Sequence, residues 1–444
     1  MSRVESALKS ARETKALIID ENSSEKAHAL FKEQFPNKPA IIVSDATTFG
    51  ILGESITKQF ESNGIVQVAP FIYQDPEIYA AYEYVQKLVG ALSLHDAIPV
   101  AVGSGTINDL TKLAAHLTNR QYMCVATAAS MDGYTAFGAS ITANGAKQTF
   151  NCPAPQVCIA DIKVLSQAPN KMTAAGYADL FAKITAGADW ILADALGIEP
   201  IDTTAWSIVQ DGLHEALSDP EGIKNGDVNA INRLTEGLML GGFAMQWSKS
   251  SRPASGAEHQ FSHLWNMEHH LNNGEAVSHG FQVSIGTLAI TALYDLVLNT
   301  DFGQLDIDVA LKQWPTLEQL QSESLQLFKD TDFPEIGLQE TTAKYTDHQQ
   351  LAKQLQILKD NWPKIKADLA KQIVPFEEAK SRLGKVGAPT EPEQIGISRK
   401  QLKDTFISAQ YIRRRFTVLD LGVRTGYLRQ WLDQLFGKGG IWEI

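Results

Sequence analysis

The stretch AIPVAVGSGTINDLTKLAAHL, Ala97 to Leu117, decides the fold. Residues 97–102 are a short apolar run of the kind that forms a buried strand. They enter Gly103-Ser104-Gly105, and from Thr106 to Leu117 apolar residues recur at helical spacing. A strand that turns through glycines straight into a helix is the unit from which parallel α/β sheets are built. Glycines at such a turn let the backbone approach a phosphate, and the helix start offers free N–H groups and the positive end of its dipole. A tight turn with no ligand fits the same residues. The GxGxxG fingerprint is not met, because Asn108 stands at the third glycine position. The acid Asp45 also lies upstream of the loop, not about 20 residues after it.

The same alternation continues on both sides. Upstream, residues 38–45 read as a buried strand, 49–63 as a helix ended by Gly64, 65–68 as a strand, and 76–94 as a helix with Pro76 near its start. Downstream, 121–127 and 156–160 read as strands. The first of these runs into Thr127-Ala128-Ala129-Ser130-Met131-Asp132-Gly133, a loop crowded with small and hydroxylated residues. Two such loops after neighbouring parallel strands suit a nucleotide crevice. Asp132 equally suits a turn or a helix N-cap.

Near Ser166-Gln167-Ala168-Pro169 the pattern changes. Helical spacing dominates over 172–196, 206–217, 230–248, 263–271, 281–298, 318–328, 343–362 and 399–412, with a loop at 385–392. The expected organisation is an α/β nucleotide-binding domain with a parallel sheet over 1–165. An all-α domain for metal and substrate is expected over 166–444.

Composition limits the function classes. The 444 residues are 44% hydrophobic and 20% charged, with a net charge of -12. That balance opposes a general nucleic-acid binder, which needs a basic face. Cys124, Cys152 and Cys158 lack CxxC spacing, and an odd count suits no disulfide framework. A reducing cytoplasm is the expected location. The N-terminal MSRVESALKSARETK has no apolar core of a signal peptide. The most apolar segment, 281–298, carries Gln282, Ser284, Thr287, Thr291 and Asp295, so a buried core helix is expected there and no membrane span.

Five of the ten histidines, His259, His263, His269, His270 and His279, fall within SGAEHQFSHLWNMEHHLNNGEAVSHG, residues 255–280. On one helix His259 and His263 share a face. Imidazoles suit zinc, nickel and iron, and a catalytic site adds a carboxylate and an open position. Glu258 precedes His259 and Gln260 follows it, so HExxH is absent and a zincin protease is disfavoured. Asp179 is an acid inside an otherwise apolar helix, and a buried Asp needs a partner. Lys183, one turn on, is one partner and a metal is another. His269 and His270 read as solvated residues near a loop.

The set GSGTINDLTK, TAASMDGYT, AGYADLFAKITAGADW and SGAEHQFSHLW…SHG resembles the sn-glycerol-1-phosphate dehydrogenases, most closely the bacterial form associated with arabinose operons. That family sits beside glycerol dehydrogenase, dehydroquinate synthase and the iron-containing alcohol dehydrogenases. The matching motifs run in order from about residue 45 to residue 280, and a softer likeness continues to IRRRFTVLDLG. The resemblance implies a dehydroquinate synthase-like fold. It implies reversible oxidation of glycerol 1-phosphate to dihydroxyacetone phosphate with NAD or NADP. One divalent metal per subunit (nickel or zinc, with iron also possible) and a homodimer are implied too.

Carried over position by position, Asp179, His259 and His279 match metal ligands. His263 and Asp179 take catalytic roles, and both, with Asp132, face the small phosphorylated polyol. Gly103, Ser104, Gly105, Thr106 and Ile107, with Thr127, Ala128, Ala129 and Ser130, match the cofactor loops, and Asp45 matches an acid near the adenosine ribose. Ala136 departs from the family, which often has Ser there to bond the cofactor. The implied chemistry is metal activation of a secondary hydroxyl followed by hydride transfer to nicotinamide. Three other readings stay open. One is a dehydrogenase of the same fold acting on glycerol or another free polyol. Another is a dehydroquinate synthase-like cyclase or lyase, whose GHxxGH-type cluster EHQFSH only partly echoes. The last is a binding module that needs no metal. No nucleic-acid or membrane partner is expected.

Overall fold

A computed structural model describes residues 2–143 and 146–444. The strands are β1 (Ala16–Asp20), β2 (Ala40–Asp45), β3 (Phe71–Tyr73), β4 (Ile98–Gly103), β5 (Met123–Ala126), β6 (Ala139–Ala143), β7 (Ala146–Phe150) and β8 (Val157–Asp161). Six of them form one sheet in the order β1-β8-β5-β4-β2-β3, parallel throughout. β6 and β7 make a separate antiparallel ribbon. Side chains of β2, β4, β5 and β8 are buried on both faces of the sheet, which is why these strands read as continuous apolar runs. Ile42, Val100, Val102, Val125 and Ile159 share one face, packed with Phe31 and Phe60 from flanking helices.

Two expected elements differ. Residues 65–68 meet β2 only through a bridge from Gln67 to Ala40, with Ala40 N–H bonding the Val66 carbonyl at 2.8 Å and Val68 N–H bonding the Ala40 carbonyl at 2.9 Å. Pro70 has no N–H, and pairing resumes only at Phe71, opposite Val43. The helix expected over 76–94 spans only Tyr82–Leu92. Ala81 instead bridges to Thr142, whose N–H bonds the Ala80 carbonyl. β1 and the β6–β7 ribbon were not expected from the sequence.

After residue 166 the chain is helical apart from a two-residue ribbon, Leu271–Asn272 with Glu275–Ala276. Five helices position the residues of interest: α1 (Gly105–Leu117), α2 (Asn170–Ala195), α3 (Val228–Ser248), α4 (Ala257–Met267) and α5 (His279–Asn299). α5 is long and apolar enough to cross a membrane by length and composition, but 78% of that apolar window is buried inside the protein. The chain forms two compact units. One comprises residues up to Leu180, Thr204–Pro253 and Lys385–Gly387, and the other Phe181–Thr203, Ala254–Gly384 and Ala388–Ile444. This division does not coincide with the change in secondary structure at residue 166.

Candidate metal centre and nucleotide loops

α4 carries His259 and His263 one turn apart, with ring centroids 6.3 Å from each other. α5 starts at His279, capped by the Ser278 side chain. The two helices touch backbone to backbone: a Cβ on Gly286 of α5 would stand 2.4 Å from the Glu258 carbonyl oxygen. Only glycine permits that approach. The crossing brings the His259 and His279 rings to 5.3 Å.

Each of these two imidazoles has its Nδ1 engaged. His259 Nδ1 lies 2.7 Å from Glu258 Oε1. The Glu258 carboxylate is fully buried and also accepts from Gly256 N–H (2.6 Å) and the Thr185 hydroxyl (2.8 Å). Burial pushes the Glu258 carboxyl up. The hydrogen bond and charge of His259, the Gly256 N–H and the Thr185 hydroxyl outweigh it and hold the group below its ordinary value. An ionised carboxylate accepts only, so His259 Nδ1 carries the proton. His279 Nδ1 lies 3.1 Å from Ser262 Oγ, whose own proton is donated to Gln282 Oε1 at 2.9 Å. His279 Nδ1 is therefore a donor as well. In both rings Nε2 is the nitrogen that could ligate a cation in the neutral form.

Asp179, 1% exposed on α2, accepts the Asp132 peptide N–H on Oδ2 at 3.0 Å. Lys183, one turn on, is fully buried. One ligand atom from each of Asp179, His259 and His279 lies within 4.8 Å of the other two. Ligands about 2.0–2.2 Å from a zinc-like ion stand at comparable separations. Two imidazoles and one carboxylate fit a divalent first-row cation with a coordination position to spare. His263 stays outside this trio, its ring 6.4 Å from that of His279. His269 and His270 lie apart from it: His269 Nε2 meets Asp332 and His270 Nε2 meets the Ile395 carbonyl.

The two loops expected to hold nucleotide lie at the carboxyl ends of the parallel strands. β2 is followed by β3 on one side of the sheet and β4 by β5 on the other, so the chain reverses direction between β2 and β4. Ligands of open α/β sheets bind at such switch points. The β2–β4 register carries Asp45 to the same sheet end as Gly103. Asp45 Oδ1 accepts the Thr48 N–H at 2.8 Å and caps a short helix. Ser104, Gly105 and Thr106 are half-buried, and Ser104 caps α1 without a side-chain hydrogen bond, so no side chain of its cap residue covers the N–H groups there. Ile107 is buried. Thr127 N–H bonds the Gly103 carbonyl and joins the two loops.

The glycines also have packing reasons that the sequence reading missed. A Cβ on Gly103 would stand 2.6 Å from Ile107, and one on Gly105 2.6 Å from Met131 Cε. Ala128 and Ala129 are buried; the Ala128 carbonyl accepts from Tyr134 OH, and a Cβ on Gly176 of α2 would lie 2.0 Å from the Ala129 oxygen. Ser130 bonds Tyr134 as well. Asp132 precedes a single 3-10 turn without capping it. Ala136 is buried, and its carbonyl accepts from Lys112. Glu258, Ser262 and Lys112 were not among the expected site residues. Glu258 alone had a visible signal, its place next to His259.

Residues 18–169 match the family model of iron-containing alcohol dehydrogenases. The chain is 30% identical over 383 residues to a Geobacillus stearothermophilus protein named NAD(P)+ glycerol-1-phosphate dehydrogenase, covering 85% of each. A protein of the same name from Halalkalibacterium halodurans is 35% identical over 57% of this chain and 64% of its own length. The crystal structure of glycerol dehydrogenase from Schizosaccharomyces pombe has a similar fold, with a TM-score of 0.61 at 16% identity over 95% of this chain and 91% of the other. The chain belongs to the glycerol-1-phosphate dehydrogenase family.

Proposed function

We propose that this chain interconverts sn-glycerol 1-phosphate and dihydroxyacetone phosphate with NAD(P) and one divalent cation. The observation that carries the reading is the Asp179–His259–His279 donor set in a member of this family. Asp179, His259 and His279 hold the cation, and Glu258 and Ser262 keep the two imidazoles turned towards it. A bound cation supplies Lewis-acid polarisation of the substrate's secondary oxygen, and the nicotinamide supplies the hydride chemistry. His263 carries the proton to and from that oxygen, and Asp132 orients the substrate. The start of α1 (Gly103 to Ile107) and the loop Thr127 to Ser130 hold the pyrophosphate. Asp45, with Oδ2 outside its cap, faces the ribose and favours NAD over a 2′-phosphate. Nucleotide falls to residues 1–165 and the cation to residues 166–444, with the substrate held by the latter and by Asp132. Nickel, zinc and iron all suit the donors.

The test is a substrate and nucleotide panel on protein stripped of metal and reloaded with nickel, zinc or iron. Glycerol 1-phosphate should be oxidised by NAD+ with stoichiometric formation of NADH, at a kcat/KM well above that for free glycerol. A preference for free glycerol overturns the substrate, and turnover without net NADH points to a cyclase. His259→Ala should lose bound metal and more than about 100-fold in turnover, beyond what changes around a ligand cost. A full equivalent of metal in that variant overturns the ligand assignment.

A further inference from the structure

Lys112 lies on α1, two turns after the glycine loop, and is 1% exposed. An ammonium has three donors. Nζ directs them at three carbonyls of one segment: Gly133 at 2.8 Å, Ala136 at 3.0 Å and Gly138 at 3.0 Å. The carboxylate of Asp109, one turn earlier, stands 3.7 Å from Nζ and accepts the Ser140 N–H at 3.1 Å. Residues 133–140 therefore hang from two charged side chains of the helix that opens at the glycine loop. α3 holds the same segment from another direction. Thr135 Oγ1 donates to the Met239 carbonyl, Gln246 Nε2 donates to the Thr135 carbonyl, and Gly242 leaves room where a Cβ would stand 2.1 Å from Thr135 Oγ1. Just before this segment, the Asp132 peptide N–H bonds Asp179 Oδ2.

We propose that Lys112 is a positioning residue: its ammonium gathers the Gly133, Ala136 and Gly138 carbonyls, and the segment so fixed aims the Asp132 N–H at the Asp179 carboxylate. This rests on the reading of Asp179 as a cation ligand. A lysine buried only to stabilise the fold needs partners somewhere. Here all three donors converge on the turn that follows the peptide bonded to Asp179. Removing the ammonium takes a donor from the buried Ala136 and Gly138 carbonyls, leaves Gly133 with the Ala136 N–H at 3.3 Å, and frees the segment to turn that N–H away. An Asp179 carboxylate without that hydrogen bond is a less ordered ligand. The expected loss is in metal affinity and kcat more than in nucleotide binding.

Lys112→Met and Lys112→Gln test this on the full chain, and Gln serves if Met gives no folded protein. Metal dissociation constants come from competition with a chromogenic chelator, beside kcat and KM for substrate and nucleotide. The metal dissociation constant should rise about ten-fold, the scale on which outer-shell partners act. kcat should fall at least as far, while the nucleotide KM moves less than about three-fold. Metal affinity and kcat within two-fold of the parent, in a folded variant, overturn the proposal, as does a change confined to nucleotide KM. Parent protein that binds no divalent cation in the same assay marks instead the failure of the metal reading.

Discussion

His259 and His279 are held by unlike partners. His259 faces a buried carboxylate at 2.7 Å and His279 a hydroxyl at 3.1 Å. A carboxylate behind an imidazole makes Nε2 a stronger donor than a hydroxyl does, because the negative charge stabilises the positive charge the ring acquires on a cation. Glu258→Gln keeps the shape and removes that charge. It should weaken divalent-metal binding by about 10–100-fold, and Ser262→Ala should weaken it less. Chelator competition on the two variants measures the order, and equal losses would mean that orientation alone matters. At this scale the sequence is partly legible. The four-residue spacing of His259 and His263 places them on one helix face. Asp179 lies 80 residues before His259, and no spacing rule joins them; its place in an apolar helix made it a candidate, and the family resemblance matched it to a ligand. Glu258 was visible but served only as an argument against a zincin motif.

Among the elements, α2 packs against the backbone of the 127–130 loop. The Ala129 oxygen lies 2.0 Å from where a Gly176 Cβ would be, and the Ala129 carbonyl carbon 2.8 Å. Backbone cannot swing aside as a flexible side chain can. Gly176→Ala should therefore cost about 1–3 kcal/mol, as overpacking does. It should also push the 127–130 loop off its position. Thermal melts should fall by a few degrees and the nucleotide KM should rise, whereas a melt unchanged from the parent would refute the close contact. The elements that could be read from sequence are those whose own residues dictate them. β2, β4, β5 and β8 are buried on both faces and announce themselves as apolar runs. The unread ones depend on distant partners: β1 on β8, and residues 80–81 on β6. Pro70 divides the edge strand at a place that propensity alone does not mark.

Over the whole chain, each compact unit collects segments far apart in sequence. A boundary read from local pattern cannot find such a division, because it depends on which helices return to which core. The Arg413-Arg414-Arg415 run belongs to these returning segments. Arg415 donates to the Ser255 carbonyl at 2.5 Å. Arg414 grips Glu340, on the helix Ile336–Lys344, with a guanidinium fork at 3.0 and 2.8 Å and its own peptide N–H at 2.6 Å. Burial pushes the Glu340 carboxyl up, but the hydrogen bonds and charge of Arg414 outweigh it, and the group sits below its ordinary value. A carboxyl depressed in the folded state stabilises above its unfolded pKa, and that contribution is lost as pH falls through the folded pKa. Arg414 is 69% exposed, so solvent screening keeps the pair weak in spite of its fork geometry. Glu340→Gln should thus be slightly less stable than the parent in urea unfolding at pH 7. The gap should close as pH falls below the ordinary glutamate range, where the parent's own lowered carboxyl takes up its proton. A gap of the same size at pH 7 and pH 3 would assign the loss to packing of the side chain and not to its charge.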